Sequence, residues 1–188
     1  SDLDGRVEMI IDGGFSAIGL ESTIIDLSEG EPMILRPGYV TQEKMTRVIG
    51  NVDVDRTILD ASSKEAPKAP GMKYRHYAPK GNLTIVEGPQ EKVTACINEK
   101  LSEGHKQGLK TGVIATDETI EQYQADVKRS LGSCKNEEAI AHHLFEVLRQ
   151  MDDEEVQLIF TESFAETGLG QATMNRLLKA AGHHRIQA

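Results

Sequence analysis

Aromatic residues are scarce in this sequence, which has no tryptophan and only four tyrosines and four phenylalanines. Proteins that bind single-stranded nucleic acid stack bases on such rings, so this class is not favoured. No run of consecutive apolar residues exceeds three, whereas a membrane-spanning helix needs about 20. No basic-then-apolar leader is visible either. We therefore expect a cytoplasmic protein with no membrane partner.

Cysteine is nearly absent as well. Cys96 and Cys134 are the two cysteines, and their spacing fits neither a disulfide framework nor a zinc site. We expect two buried free thiols in a reducing compartment. Six histidines are present, including the pairs 142–143 and 183–184, but none has the spacing of a metal motif. The sequence thus predicts no resident metal site.

The formal net charge is −9, and it is unevenly distributed along the 188 residues. Residues 1–60 carry a net charge of −7, residues 61–80 carry +4, and residues 81–188 carry −6. An acidic body repels phosphate backbones at long range, so we expect no strong direct binding of nucleic acid. The short basic segment can still capture one small anion.

Residues 1–59 are predicted to form an incomplete α/β part. Residues 7–11, 22–27 and 32–36 are predicted strands, and the last two flank a polar turn with Gly30, which indicates a hairpin. The segment Arg36–Tyr39 contains Pro-Gly, which favours a type II turn. Thr41 is a candidate N-cap of a short helix. The predicted apolar side of that helix consists of Met45, Val48 and Ile49.

Residues 60–82 are predicted to be a basic linker, since they contain three prolines and two glycines without apolar periodicity. Residues 83–188 are predicted to be a separate α/β domain, because strands and helices alternate along them, which is typical of a parallel sheet covered by helices. The predicted strands are 83–88, 112–117, 125–132 and 156–162, and the predicted helices are 90–102, 136–151 and 172–181, with a helical turn at 118–122.

Several segments are candidates for binding chemistry. Residues 70–80 (PGMKYRHYAPK) combine two tyrosines, a histidine and cations, which suits an anionic ligand with a ring; a basic linker docked on acidic domains is the alternative. Arg36, held at a Pro-Gly turn, is a candidate phosphate ligand or a surface turn residue. Ser22 and Thr23 are candidate hydroxyl ligands or ordinary strand residues. Residues 168–170 (GLG) are interpreted as a structural turn, because the full dinucleotide fingerprint is absent and Glu162 and Glu166 would repel an anion.

Three segments occur here in an order that resembles one known family. GLESTIIDL (19–27), ILRPGYVT (34–41) and PGMKYRHYAPK (70–80) resemble Sua5, the two-domain family of L-threonylcarbamoyladenylate synthases. Residues 2–14 and 168–182 also resemble parts of that family. The resemblance implies the end of a YrdC-like α/β catalytic domain at 1–59, the linker, and at 83–188 the Sua5 domain with a Rossmann-like parallel sheet.

The resemblance also implies a reaction, in which L-threonine, bicarbonate and ATP with Mg²⁺ give threonylcarbamoyl-AMP and pyrophosphate. The product would supply the t6A-transferase machinery that modifies A37 of tRNA. By position, Ser22 resembles the residue that contacts threonine, and Arg36, Tyr74 and His76 resemble residues that contact ATP. No catalytic residue is assigned.

The family's upstream Lys-x-Arg and Ser-Ala-Asn motifs have no counterpart in these 188 residues. We therefore expect this chain to be the C-terminal piece of a longer enzyme and to be inactive by itself. The alternative is a non-catalytic nucleotide-binding or regulatory α/β module. Residues 83–188 can be such a module even within this family.

Overall fold

Two separate β-sheets organise the computed structural model, which describes residues 3, 5–14, 19–28, 30–55, 58, 69 and 78–188. The smaller sheet has the order β1-β2-β3. Strands β1 and β2 are antiparallel, as the hairpin prediction requires, and β2 and β3 are parallel. Its elements are β1 (Ile24–Asp26), β2 (Met33–Arg36), α1 (Gln42–Ile49) and β3 (Asp53–Val54).

Helix α1 begins after the predicted N-cap, and none of its residues is buried. The Thr41 hydroxyl accepts a hydrogen bond from the backbone N–H of Lys44 at 3.3 Å and so caps the helix. Val48, on the predicted apolar side, is 82% exposed. This apolar side stays exposed because a three-stranded sheet offers too little surface to cover the helix.

The predicted strand at residues 7–11 is also wrong. These residues are exposed and form no strand, and Ile11 is 89% exposed. A strand exists only where a neighbouring strand completes its hydrogen bonds, and no described residue pairs with this segment.

The larger sheet confirms the predicted α/β architecture. Its five strands have the order β6-β5-β7-β4-β8, and every neighbouring pair is parallel. The last strand, β8, is a short edge strand that the sequence did not predict. The strands are β4 (Asn82–Glu87), β5 (Thr111–Ala115), β6 (Val127–Ser130), β7 (Leu158–Glu162) and β8 (Arg185–Gln187).

Helices cover both faces of this sheet. Helix α2 (Gln90–Lys106) packs on one face, and helices α3 (Glu137–Asp153) and α4 (Gly168–Ala180) pack on the other. Leu144, Leu148 and Met151 of α3 are buried in one hydrophobic cluster that also contains Leu177 of α4, in agreement with the apolar periodicity of the sequence. The Asn136 side chain caps α3 by accepting from the N–H of Ala139 at 3.0 Å, as predicted.

Three local predictions need correction. Residues 168–170 form the first turn of α4, not a loop before it, so the helix begins four residues earlier than predicted. Cys96 is only half-buried and Cys134 is exposed, although both are free thiols. Cys96 packs at the border of the core on the α2 side of the sheet.

No helix in the described part of the chain is long and apolar enough to cross a membrane. Within the same residues, no three side chains of the metal-binding types gather into a cluster. The predicted domain limits at 59–60 and 82–83 stay predictions, since most of the linker lies outside the described residues.

Candidate functional site

Two of the predicted site residues, Ser22 and Arg36, lie side by side. Arg36 ends β2 and Ser22 precedes β1, so the hairpin brings the two together. Arg36 Nε donates to the Ser22 carbonyl oxygen at 3.0 Å, and its Nη2 donates to the Ser22 hydroxyl at 3.0 Å. The planar guanidinium thereby fixes both the backbone and the side chain of Ser22.

Gly38 packs against the backbone on both sides of Ser22. A Cβ at position 38 would lie 2.4 Å from the carbonyl oxygen of Glu21 and 2.6 Å from the backbone nitrogen of Thr23, so only glycine fits. The φ angle of Gly38 is not positive, which makes the predicted type II turn wrong. Glycine is needed here for close backbone approach, because two chain segments touch at this point.

Thr23 fastens the loop after Gly38 instead of facing a ligand. Its hydroxyl accepts from the backbone N–H of Val40 at 3.1 Å and donates to the Val40 carbonyl at 2.9 Å. The structural interpretation of Thr23 therefore fits better than the ligand interpretation.

Glu21 connects this hairpin to the last long helix. Its Oε2 atom lies 3.7 Å from Nη1 of Arg36 and makes an ion pair with Nη2 of Arg176 in α4. Arg176 is buried, with its side chain 5% exposed. The site is thus built from two parts of the chain that lie about 140 residues apart in sequence.

Lys179, also in α4, is a third cationic side chain in this region beside Arg36 and Arg176. The pKa of Lys179 is lowered from 10.5 to about 8, mainly by burial and also by repulsion from Arg176 and Arg36, while Glu21 opposes the shift. Three cationic side chains therefore lie close to one carboxylate, which makes this region electropositive within an acidic chain and suited to an anion.

Two further contacts hold the hairpin region against the large domain. Gly19 adopts a positive φ of 67°, and a Cβ there would lie 2.5 Å from Cα of His142 in α3. A hydrogen bond from Thr41 lowers the pKa of Glu43, and a bond from the backbone of Gly168 at the start of α4 contributes to the same shift. Gly19 therefore lies directly on α3, and Glu43 lies at the start of α4.

The other two predicted site residues, Tyr74 and His76, lie outside the described residues. Their predicted contacts with ATP stay predictions. The sequence reasoning missed Glu21, Arg176 and Lys179. Glu21 stood next to Ser22 in the motif, but no spacing signal links it to a helix so distant along the chain.

A second polar cluster lies at the carboxyl end of the large sheet. Glu162, 5% exposed, accepts hydrogen bonds from the Tyr123 hydroxyl at 2.5 Å, Gln90 Nε2 at 2.7 Å and the Thr119 hydroxyl at 2.9 Å. Burial and the adjacent carboxylate raise the pKa of Tyr123. Both carboxylate oxygens of Glu162 are occupied within the protein, so this cluster stabilises the fold and does not present a charge to an anion.

The sequence of this chain matches one known protein family. Residues 40–182 match the family described as threonylcarbamoyl-AMP synthase, C-terminal domain. This chain belongs to that Sua5 family. The match includes strands β4 to β7 of the large sheet and α4, the helix that carries Arg176 and Lys179.

Relatives named threonylcarbamoyl-AMP synthase align with almost all of the chain. The protein from Bacillus subtilis is 43% identical over 99% of this chain, and the protein from Pyrococcus abyssi is 44% identical over 99%. The aligned regions cover 52% and 53% of those relatives. The chain thus spans about half the length of the curated relatives it matches.

Solved structures of the family have the same fold. The P. abyssi Sua5 variant H234A/Y235A superposes with a TM-score of 0.87 at 43% identity, covering 98% of this chain and 52% of that one. A crystal structure of P. abyssi Sua5 complexed with L-threonine superposes with a TM-score of 0.86 at 44% identity, with the same coverage.

Proposed function

We propose that the complete protein to which these residues belong is an ATP-dependent L-threonylcarbamoyladenylate synthase. Its substrates are L-threonine, bicarbonate and ATP with Mg²⁺, and its products are threonylcarbamoyl-AMP, pyrophosphate and water. It acts in the cytoplasm and supplies the machinery that attaches threonylcarbamoyl to A37 of tRNA. The 188 residues are inactive without the part of the protein that carries the other substrate-binding residues.

The observation that carries this proposal is the pairing of Arg36 with Ser22. The guanidinium holds the Ser22 hydroxyl at 3.0 Å, so a hydroxyl suited to an amino-acid substrate and a cation suited to phosphate lie in one place. A threonine complex of a relative 44% identical to this chain supports threonine as the amino acid. Membership of the family supports the reaction.

The chemistry needs both groups close together. The amine of threonine takes up bicarbonate with loss of water, and an oxygen of the resulting carbamate attacks the α-phosphorus of ATP while the bond to pyrophosphate breaks. The hydroxyl of Ser22 orients threonine by donating a hydrogen bond to it or accepting one from it. Arg36 has five N–H donors and gives two to Ser22, so its other donors can stabilise the phosphates.

The linker residues complete the proposed site. Tyr74 and His76 close over the nucleotide and exclude water, which protects the carbamate from losing CO₂. Mg²⁺ arrives bound to the phosphates of ATP as part of the substrate.

An assay of the full-length protein tests this proposal. Purified protein is incubated with ATP, Mg²⁺, bicarbonate and threonine, and threonylcarbamoyl-AMP and pyrophosphate are quantified. We expect both products in equal amounts, none without threonine, and none from residues 1–188 alone. Release of pyrophosphate that does not depend on threonine would contradict the proposal.

A matched pair of variants ties the activity to the site. Ser22→Ala is expected to raise the threonine requirement more than the ATP requirement. Ser102→Ala, on the exposed surface of α2, serves as the control and is expected to leave both unchanged.

A further inference from the structure

One carboxylate in the site, that of Glu21, is shared by two arginines. Oε2 of Glu21 lies 3.7 Å from Nη1 of Arg36 and pairs more closely with Nη2 of Arg176. The same oxygen is involved in both contacts. The position of this carboxylate therefore decides how much of the Arg36 charge is neutralised within the protein.

The two arginines differ in how they hold Glu21. The Arg176 side chain is 5% exposed, and that of Arg36 is 16% exposed. Ion pairs removed from water are less screened, so the pair with Arg176 is the stronger one. Lys179 adds further positive charge on the α4 side. This field draws the carboxylate toward α4 and away from Arg36.

We propose that Arg176 is a positioning residue that holds Glu21 away from Arg36, so that Arg36 keeps donors for the phosphates of ATP. This inference rests on the proposed function, since it takes ATP as the ligand of Arg36. Without Arg176, Glu21 moves onto the Arg36 guanidinium, whose fork matches a carboxylate, and competes with the phosphates. The C-terminal domain thereby controls ATP binding without touching ATP.

Binding of ATP with Mg²⁺ to the full-length protein tests the proposal by calorimetry. Arg176→Gln is expected to weaken binding about tenfold or more, because Glu21 then takes a charge-assisted hydrogen bond of Arg36 that the phosphates would receive. Glu21→Gln removes the competing charge, so the double variant is expected to bind ATP within about twofold of Glu21→Gln alone. This rescue separates positioning from a general loss of structure.

Arg129→Gln is the matched control, because Arg129 also pairs with a glutamate, Glu154, but lies in the edge strand β6 and, within the part of the chain that the structure describes, makes no ion pair or hydrogen bond with Glu21, Arg36 or Arg176. It is expected to leave ATP binding unchanged. If Arg176→Gln does not fold, Arg176→Lys replaces it. That variant holds Glu21 less firmly, and a smaller weakening of ATP binding that Glu21→Gln abolishes is then expected.

A crystal structure of the Arg176→Gln variant without ATP gives an independent result. We expect the Glu21 carboxylate within hydrogen-bond distance of Arg36 Nη1. Unchanged ATP binding, weakening that Glu21→Gln does not reverse, or a carboxylate that stays away from Arg36 or pairs with Lys179 would overturn the inference. Failure of the wild-type protein to make threonylcarbamoyl-AMP would overturn the proposed function instead, and the crystal structure still decides whether Arg176 positions Glu21.

Discussion

Arg36 is hydrogen-bonded to both the carbonyl and the hydroxyl oxygen of Ser22, at 3.0 Å each. A residue that resembles a phosphate ligand therefore also orients the residue that resembles the threonine ligand. Under the proposed function, one guanidinium couples the binding of the two substrates. Changing Arg36 is expected to affect both of them, which a simple phosphate contact would not do.

The first prediction follows from that coupling. In the full-length protein, Arg36→Ala is expected to lower the rate of threonylcarbamoyl-AMP synthesis by about 10²–10³, because a preorganised donor to developing charge is lost. Arg36→Lys is expected to recover little, since an ammonium cannot bind Ser22 twice. Steady-state kinetics with each substrate varied provide the measurement. A normal rate in Arg36→Ala would make Arg36 a structural turn residue.

The second prediction concerns Gly38. A methyl group there would meet the backbone of Glu21 and Thr23 at 2.4 and 2.6 Å, so Gly38→Ala is expected to destabilise the hairpin by about 1–3 kcal/mol. It is also expected to displace Ser22. Hydrogen exchange at residues 22–26 checks the local effect. Gly13→Ala is the control, because nothing lies within 4 Å of a Cβ at that position.

The third prediction concerns the buried carboxylate of Glu162. Tyr123→Phe removes the hydroxyl that donates to it at 2.5 Å, and the free energy of unfolding is expected to fall by about 1–3 kcal/mol because a buried acceptor loses a partner. Denaturant unfolding of this chain measures the change. Tyr39→Phe removes a hydroxyl from the small sheet's loop and is expected to have a smaller effect. Equal losses in both variants would refute the special role of Glu162.

The fourth prediction is a dependence of stability on pH. Hydrogen bonds from the Ser133 hydroxyl and the Cys134 N–H lower the pKa of Glu118 from 4.5 to about 2. Between those values the unfolded chain binds more protons than the folded chain, so this contribution is present above pH 4.5 and is lost as the pH falls toward 2.

Glu118→Gln is therefore expected to lose less stability than the wild type between pH 5 and pH 3, as measured by denaturant unfolding at each pH. Glu99→Gln, on the exposed face of α2, is expected to follow the wild type. Identical curves for Glu118→Gln and the wild type would show that these hydrogen bonds do not persist in solution.

The fifth prediction is that residues 83–188 fold without the rest of the chain. Both large hydrophobic clusters lie entirely within these residues, and a domain with its own core can fold alone. A single cooperative thermal transition is expected for this segment. A broad, non-cooperative melt would show that α3 and α4 depend on the hairpin that packs on them.

Regular elements of residues 83–188 could be predicted because each carries its own local signal. The apolar spacing of α3 and its cap are encoded within the 17 residues of the helix and the one residue before it, Asn136. The edge strand β8 lacked such a signal, since three residues of mixed polarity become a strand only beside β4. Residues 7–11 show the converse, because an apolar run alone does not make a strand.

The sequence by itself determined the family, the alternation of strands and helices, and the candidates Ser22 and Arg36, because motifs and periodicity are properties of contiguous residues. Only the tertiary structure decided that Arg36 binds Ser22 and that Glu21 pairs with Arg176 of α4. Those contacts join segments separated by 14 and 155 positions, and no local pattern encodes them. They arise because the packed core of the large domain places α4 against the hairpin, where buried charges must be paired.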